Sequence, residues 1–314
     1  MDILPQHKLL LIDALTHSIL LVSNPEGKII AERPLPHEFS PIDIKVNHKL
    51  QQAYLTMAKS KSLGQLCILD LPALSIVSQL DIPHPAQFSL APGGNNFVLA
   101  VPDGNLYLTQ KNLAPLNLEK PEKANWCAGL VTADNNLYGV WETAGGGVLA
   151  VFDTNGQQLH RHFFGATPTN IIADDYGRLL IPFTANHFSG EGLILLSQHS
   201  TDNFSGTILS QCSRCASLSP AYPSHVAVSP DGAKAYVANE EAGSISIVDL
   251  ETRKYIDTIP IGRSVSRLGL LPGGKFAIAS SNMFANLSLI DLVNHRLVAF
   301  TNDREILSPF AIIV

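Results

Sequence analysis

Charge is scarce in this chain. Only 15% of its 314 residues are Asp, Glu, Lys or Arg, and the net charge is −6. No cluster of Lys and Arg is interleaved with aromatics, so the electrostatic footprint of a nucleic-acid binder is missing. Long apolar runs are missing too. The stretch from Leu9 to Val22 is broken by Asp13, Thr16, His17 and Ser18, which makes it too short and too polar to span a bilayer. Met1–Lys8 carries an acid at position 2 and no basic segment, so no export signal is read and a cytoplasmic protein without a membrane span is expected. No helical period survives over a useful window. There is no nucleophile elbow, P-loop, Gly-x-Gly-x-x-Gly after a strand, His-Glu-x-x-His or EF-hand loop, and no cofactor is expected.

What is present is a repeat. Ser229-Pro230-Asp231-Gly232 separates two runs of alternating apolar residues, and Gly tolerates the positive φ that such a hairpin turn needs. Similar openings, of the form Pro-x-x-apolar-x-apolar, begin at Pro41, Pro85, Pro168 and Pro223. Val265 keeps the spacing without the Pro, and Trp126 is the least regular copy. Successive openings lie 44, 41, 42, 55 and 42 residues apart, so the long interval from 168 to 223 carries an insertion. Turns at Ala91-Pro92-Gly93-Gly94 and Leu271-Pro272-Gly273-Gly274 share one offset, and Ala133-Asp134-Asn135 and Asp175-Tyr176-Gly177 are degraded versions of it.

The seventh unit is split between the termini. Pro309–Val314 is an opening strand with nothing after it, and Leu4–Ile12 aligns with Leu271–Ala279, so one blade takes strands from both ends. Self-similarity at this period is the mark of a propeller, and pairing the last strand with the first removes the open edges. The expectation is all-β: a seven-bladed β-propeller with four antiparallel strands per blade, a single domain over residues 1–314, and a monomer. The stretch Ser229–Leu250, with Tyr236-Val237-Ala238-Asn239 at its centre, resembles a repeat of the YVTN family of β-propellers. That resemblance implies the architecture and carries no catalytic residue with it.

Chemistry is harder to find. Cys212-Ser213-Arg214-Cys215 is the one Cys-x-x-Cys; Ala216 stands where c-type haem attachment needs His, and no second pair completes a zinc site. Cys212 and Cys215 therefore read as an incidental loop pair with a metal or redox role as the alternatives, and Cys67 and Cys127 as buried small hydrophobes. Gly145-Gly146-Gly147 reads as a hairpin tip, since the strand that follows rules out the helix a phosphate cradle requires. The third positions of the opening strands are Asp43, Gln87, Ala128, Asn170, His225, Arg267 and Ala311. Five are polar, and Asp43, Gln87, Asn170, His225 and Arg267 are the candidate ligand-binding residues at the mouth of the propeller axis. Asp43 and Arg267 are expected two blades apart, with Arg267 and protonated His225 meeting an anion and Asp43 orienting a donor. The plainer reading is that these groups hydrogen-bond neighbouring blades.

Two functional classes follow. The first is a non-catalytic platform or small-ligand binder with an unknown protein or small-molecule partner. The second, implied by the resemblance, is a propeller enzyme or enzyme accessory, akin to sugar-lactone hydrolases or to relatives of amine dehydrogenases and haem-handling reductases.

Overall fold

Alternation of apolar residues becomes β-sheet throughout, and no described residue is helical. The computed structural model describes residues 7–24, 28–48, 50–60, 62–71, 73–83, 87–90, 96–100, 106–110, 115–118, 120–153, 155–184, 191–197, 207–210, 221–281, 283, 287–300 and 306–313. Among them, no helix is long and apolar enough to cross a membrane. Sheet 1 joins the ends of the chain: Ile306–Ile313 pairs antiparallel with His7–Asp13, followed by Ser18–Asn24 and Ile29–Pro34. Sheet 2 holds Ser40–Asn47, Gln52–Ala58, Leu63–Asp70 and Ile76–Pro83, and sheet 3 holds Gln87–Leu90, Asn96–Ala100, Leu106–Gln110 and Pro115–Leu118. Sheet 4 comprises Ala124–Ala133, Asn136–Thr143, Gly146–Phe152 and Gln158–Phe164. Sheet 6 comprises Pro223–Val228, Lys234–Asn239, Ser244–Asp249 and Lys254–Pro260, and sheet 7 comprises Arg267–Leu270, Phe276–Ser280, Leu287–Asp291 and Arg296–Phe300. These six are blades of a β-propeller, four antiparallel strands each.

Six such blades are formed and not the seven expected, and sheet 5 is where the pattern departs. It has five strands, because its opening strand is split into Thr167–Pro168 and Ile172–Ala173, both against Arg178–Thr184, with Gly192–Ser197 and Thr207–Ser210 beyond. Pro182 on the partner strand explains the break: its carbonyl accepts from Thr169 N–H at 3.0 Å, but it has no N–H to return the bond, and the Asn170 side chain takes the Ile171 N–H at 2.8 Å.

The turns were written in the residues. Gly232 N–H closes the Ser229–Pro230–Asp231–Gly232 turn on the Ser229 carbonyl at 2.8 Å, and Asp231 Oδ1 accepts from Ala233 N–H at 3.0 Å. Gly232 has φ +70°, and a Cβ there would come within 2.5 Å of the Tyr176 ring, so both backbone and packing require glycine. Asp134 and Asn135 take φ of 47° and 62°, the doubly positive geometry of a type I′ hairpin turn.

The chain divides into two compact units, residues 1–86 with 266–314, and residues 87–265. In the first unit Leu10, Ile12, Ile19 and Leu21 of sheet 1 pack on Ile44, Leu55, Met57 and Leu69 of sheet 2. The opposite face of sheet 1, with Leu9, Leu11, Leu20 and Val22, packs on Ile278 and Leu287 of sheet 7. In the second unit Tyr138, Val140, Leu149 and Val151 of sheet 4 meet Leu179, Ile181 and Ile194 of sheet 5, whose other face buries Leu180 and Leu193 against Val226, Ala235 and Val237 of sheet 6. Burying each such side chain contributes about 1.5–3 kcal/mol, which makes face-to-face blade packing the main source of stability.

Candidate functional site

The opening strands place the site. In sheet 2 a bulge between Pro41 and Asp43 interrupts the ladder with Gln52–Ala58, and sheet 6 has the same irregularity between Pro223 and His225. A bulge bends its strand and re-aims the side chains around it. Asp43 is thereby buried at 2% exposure, with its own Oδ1 accepting from Ile44 N–H at 2.9 Å. Arg267, the first residue of the opening strand of sheet 7, donates from Nη2 to Asp43 Oδ1 at 2.6 Å. Lys45 Nζ stands 3.7 Å from Asp43 Oδ2.

Asp43 and Arg267 are expected two blades apart and not side by side, and the correction is that their side chains nevertheless meet. The strand Ile306–Ile313 does pack against both Arg267–Leu270 and Ser40–Asn47, so sheet 1 lies between them in order. An Arg side chain is long enough to pass one strand and reach the next.

Lys45 was missed by sequence reading. The signal was there, because residues i and i+2 of a strand share a face, and Lys45 follows Asp43 by two. Two cations share one carboxylate, so the cluster carries a net charge of +1. Burial alone would raise the Asp43 pKa, but Lys45 and Arg267 outweigh it and hold the carboxyl below the usual range. Asp43 pulls the Lys45 pKa up, while burial and the Arg267 charge push it down further, leaving Lys45 below an ordinary lysine. Opposite Arg267 in the ladder is Ser280, whose buried hydroxyl has no hydrogen-bond partner among the described residues. Directly paired residues share a sheet face, so Ser280 is on the same face of sheet 7 as Arg267.

The other candidates divide differently. Asn170 lies in the gap between the two halves of the split strand and spends its amide on structure, donating to the Ser224 carbonyl at 3.4 Å. Beside it Thr169 donates its hydroxyl to the Pro182 and Pro223 carbonyls, tying sheet 5 to sheet 6. These bonds match the plainer reading of the polar positions. His225 is half-buried in the opening strand of sheet 6, and both it and Asn170 belong to the second unit. Gln87 begins the opening strand of sheet 3 and pairs with Ala100. Cys212 and Cys215 lie outside the described residues. Cys67 and Cys127 are buried and free, with burial pushing the Cys127 thiol up to about 12.

No protein-family model matches the chain and no curated protein does, so the YVTN resemblance rests on the repeat around Tyr236–Asn239 alone. Solved structures do match. The periplasmic gluconolactonase PpgL of Pseudomonas aeruginosa is 12% identical, with 99% of each chain covered and a TM-score of 0.74. Apo AztD from Citrobacter koseri is 10% identical over 98% of each chain, with a TM-score of 0.64. The dihydro-heme d1 dehydrogenase NirN is 13% identical, covering 97% of this chain and 74% of that one, with a TM-score of 0.63. At such identities the likeness shows the fold, an all-β propeller.

Proposed function

We propose that this chain is a propeller enzyme, or the accessory of one, working on a small lactone or the carboxylate it yields, at the cluster of Asp43, Lys45 and Arg267. The observation that carries the reading is the charge count: one buried carboxylate holds two cations, and the surplus positive charge sits on side chains that keep some exposure, 22% for Arg267 and 40% for Lys45. Likeness to a gluconolactonase supports the lactone class over others. In this reading Asp43 is a positioning residue that orients both cations. Water adds to the lactone carbonyl carbon, and Arg267 and Lys45 stabilise the oxyanion that forms. The ring C–O bond then breaks, the departing oxygen takes a proton from Lys45 to become a hydroxyl, and a carboxylate is left. The attacking water returns one proton to Lys45 and releases its other proton to solvent, which is the proton that base uptake counts. A lysine whose pKa lies below its ordinary value gives up that proton more readily.

The test is hydrolysis of glucono-δ-lactone, followed by base uptake at constant pH against the spontaneous rate. A rate above background is expected, with kcat/KM falling about 10²–10³-fold in Arg267→Ala and Lys45→Ala. Hydrolysis no faster than background, or variants as active as the parent, would sink the catalytic reading. Gluconate binding without turnover would instead assign the chain to the non-catalytic ligand binders. The same reading takes the protein as a cytoplasmic monomer and counts the interrupted sheet 5 as a seventh blade.

A further inference from the structure

Sheet 4 carries a second feature, in the unit that does not hold the Asp43 cluster. A cavity of about 390 Å³ opens at the end of this sheet, lined among others by Lys123, Thr143, Gly145, Gly147, Phe163 and Gly165. That volume lies within the range of small-molecule sites, about 300–1,000 Å³. Its parts come from the hairpin between Asn136–Thr143 and Gly146–Phe152, the start of Ala124–Ala133 and the end of Gln158–Phe164.

The glycines are the informative residues. Gly147 has an internal reason to lack a side chain, because a Cβ there would lie 2.4 Å from the Phe164 ring. Gly146 has one as well, at φ +137° and with the Phe164 carbonyl 2.4 Å from where its Cβ would be. Gly145 and Gly165 have none. Neither has a φ in the left-handed region, and a Cβ built on either meets nothing within 4 Å. Two glycines that neither backbone nor packing requires face a cavity that any larger residue would begin to fill.

The remaining lining has a definite chemistry. Phe163 exposes 55% of its surface, and the Arg161 guanidinium lies 5.1 Å from its ring centroid. Lys123 is exposed, is the one charged residue in the lining, and has no ion-pair partner among the described residues. An exposed ring beside two cations suits a flat molecule with one negative charge, its face on Phe163 and its charge toward Lys123. Thr143 offers a hydroxyl.

We propose that this cavity binds a small planar carboxylate, of the size and charge of an aromatic monocarboxylic acid. The proposal is independent of the lactone reading, which concerns other residues.

Benzoate is the probe, titrated by calorimetry and by ligand-observed NMR into the full chain, with benzamide as the neutral isostere. Benzoate is expected to bind with a millimolar dissociation constant and benzamide about tenfold more weakly, since the lost term is the Lys123 charge. Gly145→Leu and Gly165→Leu are expected to abolish binding while the melting temperature holds, and Lys123→Gln to weaken it about five- to tenfold. Should a leucine variant fail to fold, Lys123→Gln and the benzamide comparison still decide. No benzoate binding at 50 mM, a concentration about tenfold above the expected constant, would overturn the proposal. So would benzamide binding as well as benzoate, or a folded Gly145→Leu that binds benzoate like the parent.

Discussion

At the scale of single residues, Asp43 shows how a buried charge is tolerated. A carboxylate at 2% exposure is costly alone, and it persists because an arginine, a lysine and a backbone N–H all meet it. Asp43→Asn leaves Arg267 and Lys45 facing each other with no counter-charge, and a loss of about 1–3 kcal/mol in urea unfolding is expected. Lys45→Gln should cost much less, since Lys45 is more exposed and stands 3.7 Å away. An Asp43→Asn protein as stable as the parent would mean that the ion pair contributes nothing to holding these strands. Asp43 and Arg267 were visible in the sequence as polar residues at repeat-equivalent positions. Their meeting was not, because they are 224 residues apart and no local pattern encodes that contact.

At the scale of elements, the hairpins were legible because their chemistry is local. Asp231-Gly232 and Asp134-Asn135 each supply the backbone conformation their turns need, and the turns formed where they were expected. A further device recurs at the end of the third strand of several blades. Asp153, Asp249 and Asp291 each accept hydrogen bonds from backbone N–H groups of the turn that follows, including those of Gln157, Thr252 and Asn294. The opening strand of sheet 5 fits the Pro-x-x-apolar-x-apolar pattern with a weak last position at Ala173, and its interruption comes from the partner strand, where Pro182 removes the donor the ladder needs. The strand Ile306–Ile313 is the opposite case, with a register that runs from Lys8↔Ile313 to Asp13↔Ile306. Deleting residues 309–314 strips most of that pairing and leaves His7–Asp13 with an open edge, so aggregation or a large fall in melting temperature is expected. A truncated chain that melts like the full one would show that the terminal strand does not hold the blade.

At the scale of the whole molecule, acid should be the more damaging extreme of mild pH. Hydrogen bonds from Gln157, Ser229 and Thr252 lead the lowering at Asp153, Asp231 and Asp249 respectively. Burial opposes the shift at Asp291 and Asp43, and is outweighed by Asn294 at the first and by Lys45 and Arg267 at the second. A carboxylate whose folded pKa is depressed stabilises the fold above its unfolded value, about 3.9, and that contribution is lost as pH falls through the folded value. The melting temperature should therefore be flat on the acid side down to about pH 5 and fall steeply below about pH 4. A thermal-melt series across that range checks it, and a melting temperature unchanged at low pH would contradict the assigned shifts.

The residues by themselves determined the all-β class, the repeat period, the turns and the pairing of the two chain ends, because each rests on local conformational preference or on a pattern repeated many times. Only the tertiary structure decided the rest. It brought Arg267 past the terminal blade to Asp43, 224 residues away in sequence. It split the opening strand of sheet 5 opposite Pro182, and it left space beside Gly145 and Gly165 that their sequence does not announce. The physical reason is the same in each case: a side chain's partner, or the emptiness beside it, is set by residues far away in sequence that packing brings near.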